Sequence, residues 1–145
     1  MAVDKQAKVT WQGDLATGRG TIDEVGSGAI SGLPVSWAAR TGEQADLTSP
    51  EELIVAAHAS CFSMSFSSRL GKNDTPPDRL HVTATVTFVP GTGVTASALV
   101  VEADVPGIEA SRFDELAEDA RANCPVSQAL AGNVEITLLA TLASS

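Results

Sequence analysis

The stretch Thr48–Met64, TSPEELIVAAHASCFSM, decides how the rest of the chain is read. Ser49 is a candidate N-cap, Pro50 occupies the first helical position, and Glu52 completes an S-x-x-E capping box. Leu53, Ala57, Cys61 and Met64 then follow at steps of four, four and three, which places them on one face of a helix. Ile54, Phe62 and Phe66 widen that apolar surface. The spacing predicts a broad-faced helix, central in the fold and covered on most sides. Gly71, with Asn73 and the Pro76-Pro77 pair beyond it, is the expected stop. A cysteine stands at the apolar centre of this helix. The other cysteine of the chain, Cys124, lies far away in NCPVSQAL.

Outward from the helix, the period changes on both sides. Residues 7–46 read as a meander of about three short strands: AKVTWQG, the Gly-punctuated GRGTIDEVGSGAI, and LPVSWAAR. After the helix, RLHVTATVTFVP alternates, with Leu80, Val82, Ala84, Val86 and Phe88 on one side. The turn PGTG joins it to TASALVVEADVPG as a hairpin. SRFDELAEDARAN, residues 111–123, reads as a second helix with a cap-like start at Ser111 and Asp114. Its apolar stripe is Phe113, Leu116, Ala117, Ala120 and Cys124. Pro125 restarts a short helical turn, and VEITLLATLA, residues 134–143, is a last strand. This order of elements predicts one α+β domain over residues 1–145 with a mostly antiparallel sheet.

The composition narrows the function classes. Of 145 residues, 43% are hydrophobic, and the formal net charge is −9. One domain of this length buries a substantial core. The acidic balance argues against nucleic acid as a partner and against an anionic membrane surface. No apolar run reaches the roughly 20 residues that span a bilayer, and MAVDKQAKVTWQGD lacks a secretory apolar segment. A cytoplasmic setting is the expectation. There, two cysteines are expected to be reduced, redox-active or metal-bound rather than a structural staple.

Two readings of the cysteines stay open on residue pattern alone. A free cysteine on an apolar helix face is often a small buried hydrophobe. A chemical role needs access and a cause for thiolate formation, because a free thiol ionises near ~8.5. Cys61 lies too deep in its helix to draw on the dipole, so it needs a cation. Arg40, at the end of VSWAAR, is a candidate if Glu51 steers it as a bidentate pair. Arg19, in a flexible Gly-Arg-Gly turn, is the rival. His58 sits three residues before Cys61 and is a packing histidine, a base or a ligand. The spacing of His58, Cys61, His81 and Cys124 matches no zinc pattern, and no metal is expected. Trp11 and Trp37 read as core or dimer-contact aromatics.

TSPEELIVAAHASCFSMSFS resembles the first cysteine motif of the OsmC/Ohr family, the osmotically inducible and organic hydroperoxide resistance proteins. ANCPVSQAL resembles the second. TWQGDLATGRGTI and VPGIEASRFDEL resemble the OsmC branch, and the likeness covers nearly the whole chain. The resemblance implies an intertwined homodimer with sheets wrapped around two central helices and both sites at the subunit interface. It also implies a thiol peroxidase of oxidative and osmotic stress, without a cofactor, in which Cys61 is peroxidatic and Cys124 resolving. Arg40 matches the arginine that activates Cys61, Glu51 matches the carboxylate that orients it, and Arg19 remains in reserve. The implied substrate is an organic hydroperoxide, with hydrogen peroxide less well used. The implied reductant is a dithiol of lipoyl type.

Two rivals carry different expectations. A binding or structural protein on the same fold would hold inert cysteines that form no disulfide. A hydrolase would use Cys61 with His58 as base, although a helical pair three residues apart with no orienting carboxylate makes a poor dyad.

Overall fold

The computed structural model describes residues 1–144, which divide into two compact units, one up to Leu53 and the other from Ile54 onward. The first unit is a three-stranded antiparallel meander. Its strands are β1 (Ala7–Gln12), β2 (Arg19–Val25) and β3 (Ser31–Val35), in the order β1-β2-β3. The turn from β1 to β2 is closed by Asp14, which accepts from the Thr17 amide and hydroxyl at 2.7 Å each. Gly18 is obligatory there, because a Cβ would lie 2.1 Å from the Asp14 carbonyl oxygen. Gly20 lies beneath the Trp11 ring, 2.7 Å from where a Cβ would stand. Arg19 therefore opens a strand, opposite Gln12, instead of riding in a flexible turn.

The third strand is shorter than LPVSWAAR suggested. It ends at Val35, and Trp37–Arg40 form a helical turn, α1. Ser36 causes the switch: its hydroxyl accepts from the Ala39 amide at 3.0 Å, and the carbonyl of Ser36 accepts from Arg40 at 3.2 Å. Arg40 thus ends a helical turn and not a strand.

The long helix α2 runs Pro50–Lys72. Ser49 caps it by accepting from the Glu52 amide at 3.3 Å. The return half of the capping box is replaced, since the Glu52 carboxylate accepts from the Thr48 hydroxyl at 2.9 Å. At the other end Gly71 lies inside the last turn. The chain reverses at Asp74, with φ 60°, where the Thr75 amide reaches the Leu70 carbonyl and the Asp74 amide reaches that of Gly71. This is the paired bonding of a Schellman cap, with aspartate where glycine is usual.

The second unit packs α2 and two further helices against a mixed sheet of order β4-β5-β6. Strands β4 (Arg79–Val89) and β5 (Gly93–Asp104) form the expected antiparallel hairpin. Strand β6 (Glu135–Ser144) pairs parallel with β5, after α3 (Ala110–Asn123) and α4 (Pro125–Leu130) have crossed between them. Leu99, Val101 and Ala103 alternate inward on β5. They meet Phe62, Phe66 and Leu70 of α2 and Phe113, Leu116, Ala117 and Ala120 of α3. The stripe expected for α3 is the stripe observed, but its N-cap is Glu109 without a side-chain bond, and not Ser111.

The buried face of α2 differs from the expected one. His58, Phe62, Phe66 and Leu70 are fully buried, whereas Ala57 is exposed and Met64 is 71% exposed. Two phenylalanines carry more apolar area than leucine, alanine, cysteine and methionine spread around the helix, so they set which side turns inward. The rings stack in series, Phe62 on Phe66 at 5.6 Å and Phe66 on Phe113 at 5.4 Å between centroids. Arg69 of α2 pairs with Asp119 of α3 at the rim of the same contact. Among the described residues no helix is long and apolar enough to cross a membrane.

Candidate functional site

The sequence offered four residues as a site, and the structure gathers them in two pairs, one in each unit. In the first unit, Arg40 donates from Nε and Nη2 to Glu51 Oε1, both at 2.8 Å. Local sequence explains the meeting: the Ser36-capped turn presents Arg40, and Glu51 sits in the opening turn of α2. The contact is not the expected fork on fork. Both nitrogens share one oxygen, and the buried Oε2 of Glu51 has no hydrogen-bond partner among the described residues. The Glu51 side chain is 11% exposed and that of Arg40 34%, which shelters the pair from solvent screening. Arg19 is exposed on β2.

In the second unit, Cys61 and Cys124 are neighbours. Both are free thiols, Cys124 fully buried and Cys61 partly so. Cys61 and Val126 pack against the core cluster that holds Cys124, close enough for the Cys124 side chain and the Val126 backbone both to act on the Cys61 thiol. Burial is the main influence on the Cys61 thiol and pushes its pKa above the ordinary thiol value. The neighbouring Cys124 raises it further, and the Val126 backbone contact draws it down. Cys124 occupies a joint. It is the C-cap of α3 and the N-cap of α4, in extended conformation, with its amide bonded to the Ala120 carbonyl and its carbonyl accepting from Gln128. Pro125 at the first position of α4 enforces that break.

His58 is neither base nor ligand in this arrangement. It is wholly buried, its Nδ1 lies 2.7 Å from the Ser97 hydroxyl on β5, and its Nε2 lies 2.8 Å from the Ser127 hydroxyl on α4. With both nitrogens occupied by serines, the Cys61–His58 dyad of a hydrolase is not formed. The sequence reading missed Ser97 and Ser127. Ser97 left a signal, because it shares the inward phase of Leu99, Val101 and Ala103, and a hydroxyl on a buried phase needs a polar partner. His81 lies apart on β4, exposed and opposite Glu102. Among the described residues no group of three or more His, Cys, Asp or Glu could hold a metal ion.

Burial lowers the affinity of His58 for a proton. The unfolded chain therefore takes up a proton that the core refuses, and this contribution favours folding fully above about pH 6.5, the ordinary histidine value. Stability is expected to fall as pH drops below that value, by no more than about 1.4 kcal/mol per pH unit for one proton. Urea unfolding from pH 7.5 to 5.5 should show a steeper loss for the native chain than for His58→Gln, with His81 present in both. Equal slopes would remove His58 as the source.

A groove of about 580 Å³ runs along the open side of α2, lined by Ser63, Met64, Ser67, Ser68 and the segment Pro77–Leu80. Neither cysteine lines it.

Fold and site together define an α+β protein in which two distant cysteines meet at the joint of two helices. A family model described as "OsmC-like protein" matches residues 42–139, which hold Glu51, Cys61 and Cys124. Among curated proteins, the chain is 42% identical over 142 residues to "Peroxiredoxin OsmC" of Escherichia coli (strain K12), covering 95% of this chain and 96% of the relative. It is 30% identical over 93 residues to "Organic hydroperoxide resistance protein OhrA" of Bacillus subtilis (strain 168), covering 63% of this chain and 65% of the relative. Among solved structures, the organic hydroperoxide resistance protein OhrB of Bacillus subtilis superposes with a TM-score of 0.65 at 25% identity, over 94% of this chain and 98% of that one. The OsmC protein of Legionella pneumophila shares the fold, with a TM-score of 0.68 at 21% identity over 94% and 97% of the two chains. The chain belongs to the OsmC family.

Proposed function

We propose that this chain is a thiol peroxidase that reduces organic hydroperoxides, and hydrogen peroxide less well, to the corresponding alcohol or water. The observation that carries the reading is the contact of Cys61 with Cys124, residues with no proximity in the chain. The names of the similar proteins, a peroxiredoxin and hydroperoxide resistance proteins, support the substrate class. In the proposed cycle the Cys61 thiolate attacks the O–O bond. The alkoxide leaves as alcohol after taking a proton, and Cys61 becomes a sulfenic acid. Cys124 displaces water from that sulfur to form a disulfide, and a dithiol, of lipoyl type by family resemblance, returns two electrons and two protons.

The thiolate needs a cation, because burial alone pushes the Cys61 thiol the wrong way. Arg40, aimed by Glu51, is the proposed source in the assembled homodimer, where its guanidinium would also hydrogen-bond the peroxide oxygen. Large apolar side chains left exposed in the single chain support a homodimer, among them Val9, Leu15, Met64 and Leu139. The proposed setting is cytoplasmic, with the whole chain working as one OsmC-like domain.

Burial, which pushes the Cys61 thiol's pKa up, favours one rival, a binding or structural protein with inert cysteines. Intact mass after one equivalent of cumene hydroperoxide separates the two. The peroxidase loses two hydrogens as the disulfide forms, and the inert protein keeps its mass. In the same assay Arg40→Met is expected to slow Cys61 oxidation about a hundredfold. Unchanged oxidation would turn attention to Arg19.

A further inference from the structure

Among the described residues, the helical turn that follows Cys124 makes one side-chain hydrogen bond to the rest of the fold, through Ser127. Helix α4 has six residues, and its buried residue is Ser127. Val126 is only partly buried against the core. By contrast α3, on the other side of Cys124, is anchored by four buried apolar residues, Phe113, Leu116, Ala117 and Ala120. Ser127 meets Nε2 of His58 at 2.8 Å, and the far side of the same ring is braced by Ser97 at 2.7 Å. His58 stands on α2 one turn before Cys61, and Ser127 stands on α4 one turn after Cys124. The ring therefore links the element carrying one sulfur to the element carrying the other. Ser97 on β5 fixes its rotation.

We propose that His58 is a positioning residue for disulfide formation: through Ser127 it seats α4, and so keeps the Cys124 thiol and the Val126 backbone against Cys61. It touches neither peroxide nor sulfur and exchanges no proton in the reaction. Its effect falls on the second chemical step, in which the Cys124 sulfur attacks the Cys61 sulfenic acid, the S–S bond forms, and the oxygen leaves as water with the thiol proton. The first step, at Cys61 and the peroxide, changes little, because unseating α4 withdraws two opposed influences on the Cys61 thiol together, Cys124 raising its pKa and the Val126 backbone lowering it. This part rests on the peroxidase reading. The seating itself does not.

Two substitutions divide the ring's contacts. In His58→Asn the amide nitrogen falls near the place of Nδ1, so the Ser97 side is kept and the Ser127 side is lost. In His58→Gln the longer amide reaches the place of Nε2, so the Ser127 side is kept. Ser127→Ala and Ser97→Ala make the same division from the partners. Rapid mixing with cumene hydroperoxide gives both steps: sulfenic acid trapped by dimedone reports the first, and disulfide by mass reports the second. We expect the first step within about twofold of wild type in all four variants. Disulfide formation should fall at least about tenfold in His58→Asn and Ser127→Ala, with sulfinic acid accumulating on Cys61, and should stay near wild type in His58→Gln and Ser97→Ala. Equal resolution rates in all variants would overturn the proposal, and so would an equal slowing in all four. If the histidine variants do not fold, Ser127→Ala against Ser97→Ala decides alone.

Diamide separates this proposal from the peroxidase reading. It takes two hydrogens from a pair of thiols without any peroxide, closing the Cys61–Cys124 bond. A wild-type chain that is inert to hydroperoxide yet closes with diamide, and closes slowly only in His58→Asn and Ser127→Ala, would end the peroxidase reading and keep the positioning role. Closure by diamide at one rate in every variant would end the positioning role.

Discussion

Replacing Cys61 with serine is expected to lower hydroperoxide turnover by at least about a thousandfold, measured as cumene hydroperoxide consumption with a dithiol present. A serine hydroxyl is not ionised at neutral pH and is a poor nucleophile toward peroxide oxygen, whereas even a small thiolate fraction reacts. The substitution removes one polarisable atom from a partly buried place and should leave the fold intact. Cys124→Ser tests the other sulfur. It should leave the first oxidation near wild type but stop the cycle at the sulfenic acid, which then proceeds to sulfinic acid as peroxide is added. Full turnover in Cys61→Ser would end the proposed mechanism. A disulfide in Cys124→Ser, joining two chains through Cys61, would reassign the resolving partner.

The second large effect concerns stability. Phe66→Ala should cost about 3–5 kcal/mol, read as the shift of a urea unfolding midpoint. Phe66 is fully buried and is the middle ring of three, 5.6 Å from Phe62 and 5.4 Å from Phe113. Its removal opens a void between α2 and α3 that neither neighbour can fill without leaving the other. Folded domains are stable by only about 5–15 kcal/mol, so the loss is a large share of the total. Met64→Ala, on the exposed side of the same helix, should change the monomer's stability by under about 0.5 kcal/mol. A cost as large as that at Phe66 would show that Met64 is covered in solution by a partner surface.

Much of the fold could be read in the letters because the relevant forces are local. Leu80, Val82, Ala84, Val86 and Phe88 alternate as a strand must, and PGTG turns the hairpin where it was expected. Pro125 marks the restart after Cys124. What misled was α2. Alanine and serine lie on all sides of it, so spacing alone allowed several apolar faces, and Leu53, Ala57, Cys61 and Met64 made the most regular one. Ring volume at Phe62 and Phe66 decided otherwise. The run VSWAAR read as a strand because the hydroxyl of Ser36 could pair in either direction, and it chose the Ala39 amide.

The site was less legible. Spacing could not place Cys61 beside Cys124, since they lie in different helices and only tertiary packing joins them. Family resemblance supplied that pairing before the structure did. The Arg40–Glu51 contact was named from residue type and proximity to the helix start, and it exists, in a one-oxygen form that sequence could not specify. The serines that hold His58 come from residues 39 and 69 positions away, beyond the reach of any periodicity.

The backbone at Cys124 is a corner shared by two helices, its amide closing the ladder of one and its carbonyl opening the ladder of the next. A sulfur mounted at such a corner can swing by rotation about its own Cα–Cβ bond while every helical turn on both sides stays wound. In the proposed cycle, the bond to Cys61 would close and open there without unwinding either helix.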